Sequence, residues 1–325
     1  SAAASKSLTI SGVISSSSAT APATLVIGDA TNTGTVTLSG ANTYSGGTTL
    51  TAGAALVGVD TVGSLGSITS SAIGTGGLTF NGGTISSDST TARTLYNVLT
   101  FTGNATIGYS SNTGAITFGA AGDLGSSTRT ITVNTSTSAQ FDGILSSVTA
   151  GTGLTKAGAG TLILTGANTY SGGTTLTAGA ALVGVDTVGS LGSITSSAIG
   201  TGGLTFNGGT ISSDSTTART LYNVLTFTGN ATIGYSSNTG AITFGAAGDL
   251  GSSTRTITVN TSTSAQFDGI LSSVTAGTGL TKAGAGTLIL TGANTYSGIT
   301  TISAGTLTNG AAGVINDSSA VQIAN

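Results

Sequence analysis

The stretch from Thr161 to Gly179, TLILTGANTYSGGTTLTAG, places apolar residues among threonines on both sides of a segment rich in Gly, Asn and Ser. Alternation of apolar residues with Thr also occurs in Leu78-Thr79-Phe80 and Ile131-Thr132-Val133. A period of two is typical of strands with one buried and one solvent face, and no comparable stretch has a helical period. The sequence therefore predicts an all-β chain with turns at Gly, Asn, Ser and Asp.

The heptapeptide Gly-Ala-Asn-Thr-Tyr-Ser-Gly occurs three times, at residues 40–46, 166–172 and 292–298. Every residue from Gly40 to Gly172 is identical to the residue 126 positions later. We therefore divide the chain into two identical repeat units, 40–165 and 166–291, with 1–39 as the degenerate end of a preceding repeat and 292–325 as the start of a divergent third. Because identical units do the same thing once per copy, function is expected to increase with copy number.

The repeat units follow one another without a linker. Residues 155–160, Thr-Lys-Ala-Gly-Ala-Gly, lead directly into the next strand and contain neither Pro nor a run of charges. Separate sandwiches or barrels would need a linker between them, so one continuous solenoid fits the sequence better. With two or three strands per coil, a repeat makes about five or six coils of roughly 21 residues, stacked about 4.8 Å apart.

The alternation assigns each strand residue to a side of the predicted solenoid. A shift of one residue would exchange the two faces, so burial tests the assignment directly. We expect these residues and their counterparts 126 positions later to point inward: Leu78, Phe80, Leu99, Phe101, Ile116, Phe118, Ile131 and Val133. Thr79, Thr100, Thr117 and Thr132 are expected to point outward.

One glycine of each Gly-Gly pair after the heptapeptide serine should have a positive φ. The third copy keeps Gly298 but replaces the following glycine with Ile299. Because a β-branched residue rarely adopts positive φ, the sequence predicts positive φ at Gly46 and Gly172 rather than at Gly47 and Gly173.

The composition excludes several classes of function. The chain has no Cys, His, Met or Trp, and its ten acidic residues are all Asp. Without an imidazole base, a thiolate, or His and Cys as metal ligands, we predict no catalytic, cofactor-binding or metal-binding residues, and therefore no enzyme. Basic residues are never adjacent, which argues against nucleic acid as a partner. Apolar runs such as Ala54–Val57 are far shorter than the roughly 18 residues of a membrane-spanning helix.

Residues 153–179, GLTKAGAGTLILTGANTYSGGTTLTAG, resemble the passenger-associated transport repeat of autotransporter adhesins. In that family the motif lies in right-handed parallel β-helical passenger domains exported by Gram-negative bacteria. The resemblance implies a right-handed parallel β-helix located at the cell surface or outside the cell. The chain begins at Ser1 without a charged-then-apolar signal segment, which indicates a processed product or a fragment.

Two groups of side chains are candidates for chemistry or binding. Asp60, Asp88, Asp123 and Asp142 could pair on adjacent coils for glycoside cleavage, but turn capping is the more common role of such residues. The aromatic residues could form a sugar-binding stripe, whereas alternation with Thr favours a core position for the phenylalanines. The aromatic group comprises Tyr44, Phe80, Tyr96, Phe101, Tyr109, Phe118 and Phe141.

The polar run from Ser86 to Thr94 is expected to form the largest loop that leaves the solenoid. Asp88 and Arg93 lie within this run and could form a surface ion pair. Such a pair contributes at most about 1 kcal/mol to stability. Its functional alternative is a lateral contact with a neighbouring fibre.

These observations favour a non-enzymatic extracellular β-helix, a repetitive segment of a bacterial surface adhesin or matrix filament. The expected partners are further copies of the chain, joined end to end or laterally, and also other cells or surface glycans. Self-association is expected because strands at Ser1–Ile14 and Thr306–Ile323 would expose unpaired backbone groups. The alternative is a module that binds glycan or ice through a Thr-lined face, and the third hypothesis is a polysaccharide-degrading β-helix enzyme.

Overall fold

The computed structural model describes residues 6–16, 22–109, 111–235, 237–310, 315 and 320–323. Regular backbone in these residues consists of β-strands, and the described residues contain no helix. The chain forms two compact units, Ser1–Gly166 and Ala167–Asn325, which we call the first and the second unit. Their bounds differ from those of the sequence repeats. The predicted all-β class is confirmed.

The strands of the first unit are short, with two to five residues each. In chain order they are β1 (Ser7–Ile10), β2 (Leu25–Ile27), β3 (Thr35–Leu38), β4 (Thr48–Leu50), β5 (Ala54–Val57), β6 (Val62–Ser64), β7 (Ser67–Ser70), β8 (Leu78–Phe80), β9 (Thr84–Ser87), β10 (Arg93–Leu95), β11 (Leu99–Phe101), β12 (Ala105–Ile107), β13 (Ile116–Phe118), β14 (Gly122–Asp123), β15 (Arg129–Val133), β16 (Ser138–Phe141), β17 (Leu145–Ser146), β18 (Leu154–Ala157) and β19 (Thr161–Leu164).

The second unit repeats this pattern. Its strands are β20 (Thr174–Leu176), β21 (Ala180–Val183), β22 (Val188–Ser190), β23 (Ser193–Ser196), β24 (Leu204–Phe206), β25 (Thr210–Ser213), β26 (Arg219–Leu221), β27 (Leu225–Phe227), β28 (Ala231–Ile233), β29 (Ile242–Phe244), β30 (Gly248–Asp249), β31 (Arg255–Val259), β32 (Ser264–Phe267), β33 (Leu271–Ser272), β34 (Leu280–Ala283), β35 (Thr287–Leu290), β36 (Thr300–Ile302), β37 (Thr306–Asn309) and β38 (Val321–Ile323).

Three parallel sheets, which we call a, b and c, form the walls of the solenoid in each unit. In the first unit, sheet a is β2-β4-β8-β11-β14-β17, sheet b is β1-β3-β5-β9-β12-β15-β18, and sheet c is β10-β13-β16-β19. In the second unit, sheet a is β20-β24-β27-β30-β33, sheet b is β21-β25-β28-β31-β34-β36-β38, and sheet c is β26-β29-β32-β35-β37. Each unit is therefore a β-solenoid, as predicted.

Coil length follows from the register of sheet a. Leu78 pairs with Leu99, which in turn pairs with Gly122, so these coils contain 21 and 23 residues. The preceding coil is longer, because Thr48 pairs with Leu78, 30 residues away. The extra residues form an antiparallel hairpin, β6–β7, in the place where a sheet c strand would otherwise lie.

The 126-residue repeat does not contain a whole number of coils. Within the second unit, β20 lies in sheet a, whereas β36, which has the position of β20 one repeat later, lies in sheet b. Within the first unit, β3 lies in sheet b and its counterpart β19 lies in sheet c. One repeat thus spans five coils and advances by one wall, in agreement with the predicted five or six coils.

Phenylalanine side chains fill the interior. Phe80 stacks on Phe101, its neighbour in register, with ring centroids 4.9 Å apart. Phe118 stacks on Phe141 at 4.8 Å, and the two stacks meet at Phe80 and Phe118. The counterparts in the second unit pack in the same way. Such contacts add about 0.5–1.5 kcal/mol per pair to the gain from burial.

The predicted sidedness of the strands is confirmed. The eight apolar residues named above are buried in the first unit, and so are their counterparts in the second. Thr100 is exposed, and Thr79, Thr117 and Thr132 are half-buried. Neighbouring coils cover part of each outward threonine, which explains why most of them are not fully exposed.

The predicted position of the turn glycine is wrong by one residue. Positive φ occurs at Gly47 (85°) and Gly173 (78°), not at Gly46 and Gly172. Gly46 is needed for another reason: a Cβ atom there would lie 2.5 Å from the carbonyl oxygen of Ala23. The same close approach exists at Gly298, where a Cβ would lie 2.3 Å from the Gly277 oxygen. The third copy therefore keeps the glycine of close contact and loses the one with positive φ.

The end segments invoked for self-association are described only in part. Ser7–Ile10 pairs with Thr35–Leu38, and Thr306–Asn309 pairs with Thr287–Leu290. Residues 1–5, 311–314 and 316–319 lie outside the described residues.

Replacing Phe101 and its counterpart Phe227 with Ala should lower the free energy of unfolding by about 3–5 kcal/mol per site, because each change leaves a cavity in a closely packed stack. Urea unfolding followed by circular dichroism measures the loss. Thr100→Ala with Thr226→Ala is the matched control and should change stability by no more than about 0.5 kcal/mol per site. Equal losses in the two double variants would contradict the assigned register.

Candidate interaction groove

The hairpin β6–β7 is the longest excursion of the first repeat from the coil path. Its strands pair Gly63 with Ile68 and Ser64 with Ser67, and the pairing is bulged between Val62 and Gly63. Leu65 and Gly66 form the two-residue turn, for which Gly66 supplies a φ of 78°. Hairpin β22–β23 has the same register and bulge in the second unit.

The heptapeptide asparagine fastens the hairpin at its C-terminal end. The Nδ2 of Asn42 donates to the carbonyl oxygen of Ala72 at 2.6 Å, and its backbone exchanges two hydrogen bonds with Ser71. Asn42 is fully buried. Asn168 makes the same bonds to Ala198 and Ser197 in the second unit. Buried amides with complete hydrogen bonding rigidify their surroundings, so these asparagines hold the chain where it returns to the coil.

The heptapeptide tyrosine forms a second buried link. The hydroxyl groups of Tyr44 and Thr48 lie 2.6 Å apart, and Thr48 donates to the carbonyl oxygen of Ile73 at 2.9 Å. Burial raises the pKa of Tyr44 to about 12. Tyr170, Thr174 and Ile199 repeat the chain of bonds in the second unit. We call the Asn and Tyr contacts together the buried staples.

A carboxylate and a threonine fasten the N-terminal end of the hairpin. The Oδ1 of Asp60 accepts a hydrogen bond from the backbone N–H of Thr94 at 2.7 Å. Thr61 accepts from the backbone of Tyr96 and donates toward Ser71 on the far side of the hairpin base. Both ends of the excursion are therefore tied to the solenoid.

A groove lies between the hairpin and the following coil, and we call it the hairpin groove. It has a volume of about 290 Å³ in the first unit and about 270 Å³ in the second. Its lining in the first unit includes Ser67, Ile68, Thr75, Gly77, Tyr96 and Val98. The counterparts of these residues line it in the second: Ser193, Ile194, Thr201, Gly203, Tyr222 and Val224.

Close packing fixes the aromatic wall of the groove. A Cβ atom at Gly119 would lie 2.5 Å from Cδ1 of Tyr96, so the ring lies directly on the glycine backbone. Gly245 and Tyr222 have the same relation. On the same wall Val98 is 61% exposed, and its counterpart Val224 is 60% exposed.

The structure separates the aromatic candidates. The phenylalanines are core residues, as predicted, and Tyr44 is also buried. Tyr96 is half-buried in the groove, and Tyr109 is 37% exposed and accepts a hydrogen bond from Thr35. The core position expected for the phenylalanines is confirmed, and of the seven candidates only Tyr96 and Tyr109 reach the surface.

The four candidate carboxylates all cap backbone or side-chain groups. Asp60 binds Thr94 as described, Asp123 accepts from the N–H of Gly125, and Asp142 accepts from Gln140 and Thr165. Asp88 forms an ion pair with Arg93 at 3.0 Å. In the described part of the chain, no three acidic residues lie close enough together to hold a metal ion.

The run from Ser86 to Thr94 was expected to be the largest loop, and this expectation is wrong. Ser86 and Ser87 belong to β9, and Arg93 and Thr94 belong to β10, so only a short turn remains between them. The hydroxyl of Ser87 donates to the carbonyl oxygen of Thr91, which closes that turn. The segment that leaves the coil path is instead the hairpin β6–β7.

The repeat also buries a lysine. Lys282 is fully buried, and its Nζ donates to the carbonyl oxygens of Ala283, Gly284 and Ala304 at 2.6–3.0 Å. Ala304 lies on the next coil, so the lysine links two coils. Lys156 is buried in the same way, and burial lowers its pKa to about 8.

The outward threonines form only short rows. In sheet a, Thr49, Thr79 and Thr100 lie in register, and Asp123 interrupts the row at the next coil. In sheet b the row formed by Thr84, Thr106 and Thr132 ends at Ala157. A regular array that matches ice needs the same residue at every coil, and these rows do not provide it.

Sequence reasoning missed the hairpin and its groove. Residues 62–70, VGSLGSITS, contain only weak alternation, which does not distinguish a hairpin from a further solenoid strand. The two glycines of the segment, Gly63 and Gly66, were the available signal for a bulged hairpin with a two-residue turn.

Comparisons with known proteins agree with this structure. The passenger-associated-transport-repeat family matches at three places, residues 30–54, 154–180 and 280–308. The chain is similar to the adhesin BmaC autotransporter of Brucella suis biovar 1 (strain 1330), with 35% identity over 190 residues, which are 57% of this chain and 4% of that protein. No solved structure matches significantly.

These matches confirm the resemblance to autotransporter passenger domains, and with it the expected location at the surface of a Gram-negative bacterium. The repeat matches at 154–180 and 280–308 include the buried lysines and the heptapeptide. The described residues also contain no helix of the length and apolarity needed to cross a membrane.

Replacing Asn42 and Asn168 with Ala should destabilise the hairpins, because each change leaves a buried carbonyl group without its partner at a cost of about 1–3 kcal/mol. Hydrogen–deuterium exchange should become faster in residues 62–70 and 188–196 than in the core strands. Asn81→Ala with Asn207→Ala changes exposed asparagines and is the control. Uniformly faster exchange along the whole chain would contradict a local role for the buried staples.

Alkaline pH should weaken the fold through the buried tyrosines. Burial raises the pKa of all three tyrosines, so the folded chain keeps protons that the unfolded chain loses above about pH 10. This stability is present below pH 10 and declines as pH rises above it, through a pKa of about 12 for Tyr44. Urea midpoints at pH 10.5 and 12 measure the decline. In the triple variant Tyr44→Phe, Tyr170→Phe and Tyr296→Phe the urea midpoint should fall less between these two pH values. A fall as large as that of the native chain would show that the buried tyrosines are not its cause.

Proposed function

We propose that the chain is a non-enzymatic, repetitive segment of a bacterial surface adhesin that acts through length and multivalent contact. The observation that carries the proposal is the recurrence of one groove, with the same lining residues and the same buried staples, in each repeat unit. A catalytic centre has no need of a second identical copy on the same chain, whereas weak binding sites gain strongly from repetition.

The polar side chains support a non-enzymatic role. Each candidate carboxylate binds a turn, a strand or an arginine of its own repeat, and the buried tyrosines and lysines hold neighbouring coils together. Through these bonds the polar groups stabilise the solenoid. The polysaccharide-degrading hypothesis requires a pair of carboxylates that exchange protons with a substrate, whereas each of the four carboxylates here has a partner within its own repeat.

Self-association belongs to the same proposal. The chain has a formal net charge of −3 over 325 residues, so repulsion between parallel copies is weak. Outward threonine hydroxyls on neighbouring coils, such as Thr79 and Thr100, supply hydrogen-bonding groups for lateral contact. Sedimentation velocity over a range of concentrations tests this part, and a concentration-independent monomer would contradict it.

Deleting residues 166–291 removes one complete repeat and leaves a native junction, because Thr165–Gly292 has the sequence of both Thr165–Gly166 and Thr291–Gly292. Microspheres coated with equal numbers of full or shortened chains are tested for adhesion to cultured cells and for mutual aggregation. Multivalency predicts that the shortened chain loses far more than half of the adhesion, on the order of 10-fold or more.

A loss in proportion to the number of repeats, or no loss at all, would contradict the multivalent mechanism. Circular dichroism and urea unfolding of both chains provide the control for folding. The shortened chain should keep its parallel β spectrum, because the deletion removes one full sequence repeat and joins two segments that the native repeat junction also joins.

A further inference from the structure

We infer that the hairpin groove binds a neutral sugar ring of a surface polysaccharide or glycoconjugate, once per repeat unit. The inference rests on the proposed adhesive function, for which it names the class of ligand. It concerns the hairpin groove rather than the Thr-lined walls of the solenoid. Its two copies lie wholly within their own units.

The aromatic wall is suited to the face of a sugar ring. Tyr96 lies on the backbone of Gly119, so its ring is already in place before a ligand arrives. Tyrosine offers a large, rigid contact area at low cost in conformational entropy. Because a side chain at Gly119 would clash with the ring, the glycine is itself part of the site.

The edges of the groove are apolar and accessible. Val98 is 61% exposed, Ile68 is half-buried, and Leu65 at the hairpin tip is 58% exposed. The carbon-bound hydrogens of a pyranose would cover such side chains, and removal of apolar surface from water contributes about 25 cal/mol per Å². At about 290 Å³ the groove is at the lower end of ligand sites, which favours a single ring over a large cofactor.

The polar groups of the groove are neutral. Ser67 and Thr75 carry hydroxyl groups, Gly77 contributes backbone, and no charged residue belongs to the lining in either unit. An ionic ligand would lose hydration there without meeting an opposite charge, which is costly. Sugar hydroxyls, in contrast, both donate and accept hydrogen bonds, as do the hydroxyls of Ser and Thr.

A peptide strand is a less suitable occupant. Peptides commonly bind by adding a strand to an exposed sheet edge, which requires regular unpaired backbone groups. The hairpin has strands of only three and four residues, and its bulge at Val62 and Gly63 interrupts the edge. Bulges and short strands are the features by which sheets resist edge pairing.

The test uses a glycan array that carries neutral oligosaccharides and their sulfated or sialylated forms. The blocking variant is Ser67→Trp with Ser193→Trp, which fills both grooves from an exposed hairpin position. The matched control is Ser64→Trp with Ser190→Trp, at exposed positions of the same hairpins outside the lining. Neutral glycans should bind the native chain and the control, and the blocking variant should bind at least 10-fold more weakly.

Two further variants separate stacking from folding. Tyr96→Phe with Tyr222→Phe keeps the rings and should retain most of the binding, whereas Tyr96→Ala with Tyr222→Ala should lose it. If the alanine variant unfolds, the tryptophan pair still decides the question. Binding confined to anionic glycans, equal binding by blocking and control variants, or no bound neutral glycan would overturn the inference.

Stoichiometry provides a test that adhesion assays do not. The best neutral glycan from the array, titrated calorimetrically, should occupy two sites on the full chain and one on the chain that lacks residues 166–291. Adhesion that depends on copy number but is unaffected by Ser67→Trp with Ser193→Trp would leave the proposed function standing and refute the groove. If the native chain bound no glycan and the blocking variant lost self-association, the inference would be wrong and the groove would be a contact between copies of the chain.

Discussion

In-register parallel pairing between coils is the constraint on which the rest of this structure depends. Each strand must meet its neighbour after one turn, and Leu78 pairs with Leu99 and Leu99 with Gly122 at intervals of 21 and 23 residues. Like side chains then stack inside, as Phe80 does on Phe101. An inserted segment has to leave the coil and rejoin it in register, and the hairpin can do so because hydrogen bonds hold both of its ends.

Most of the side-chain bonds that hold the coils together are made by hydroxyl and amide groups rather than by ion pairs. Asn42 and Tyr44 hold the returning chain through neutral hydrogen bonds. Lys282 donates to two carbonyl oxygens of its own coil and to that of Ala304 on the next coil. Neutral groups cost less to bury than ions, provided that each has a partner. A scaffold with only 5% charged residues can therefore stack its coils with little repulsion between like charges.

The sequence was sufficient to predict the class of fold and the inward face of the strands, because alternation is local and Phe80, Phe101 and Phe118 carry it clearly. It was insufficient at Gly47 and at the hairpin. The positive φ of Gly47 occurs where the turn approaches Gly77 of the neighbouring coil. The hairpin is held at its base by residues distant in sequence, such as Asn42 and Thr94. Tyr96 could be named as a candidate, but its groove exists only because Gly119 and the hairpin approach it from elsewhere in the chain.

Engineered disulfides test the coil stacking most directly, since the chain has no cysteine of its own. Thr79 and Thr100 lie in register on adjacent strands of sheet a, and neighbouring strands about 4.8 Å apart can accept the bond. In the variant Thr79→Cys with Thr100→Cys, mild oxidation of the folded chain should form an intramolecular disulfide rapidly. The account would be contradicted if this bond failed to form, or if it formed no faster than in Thr79→Cys with Thr117→Cys, which lie in different sheets.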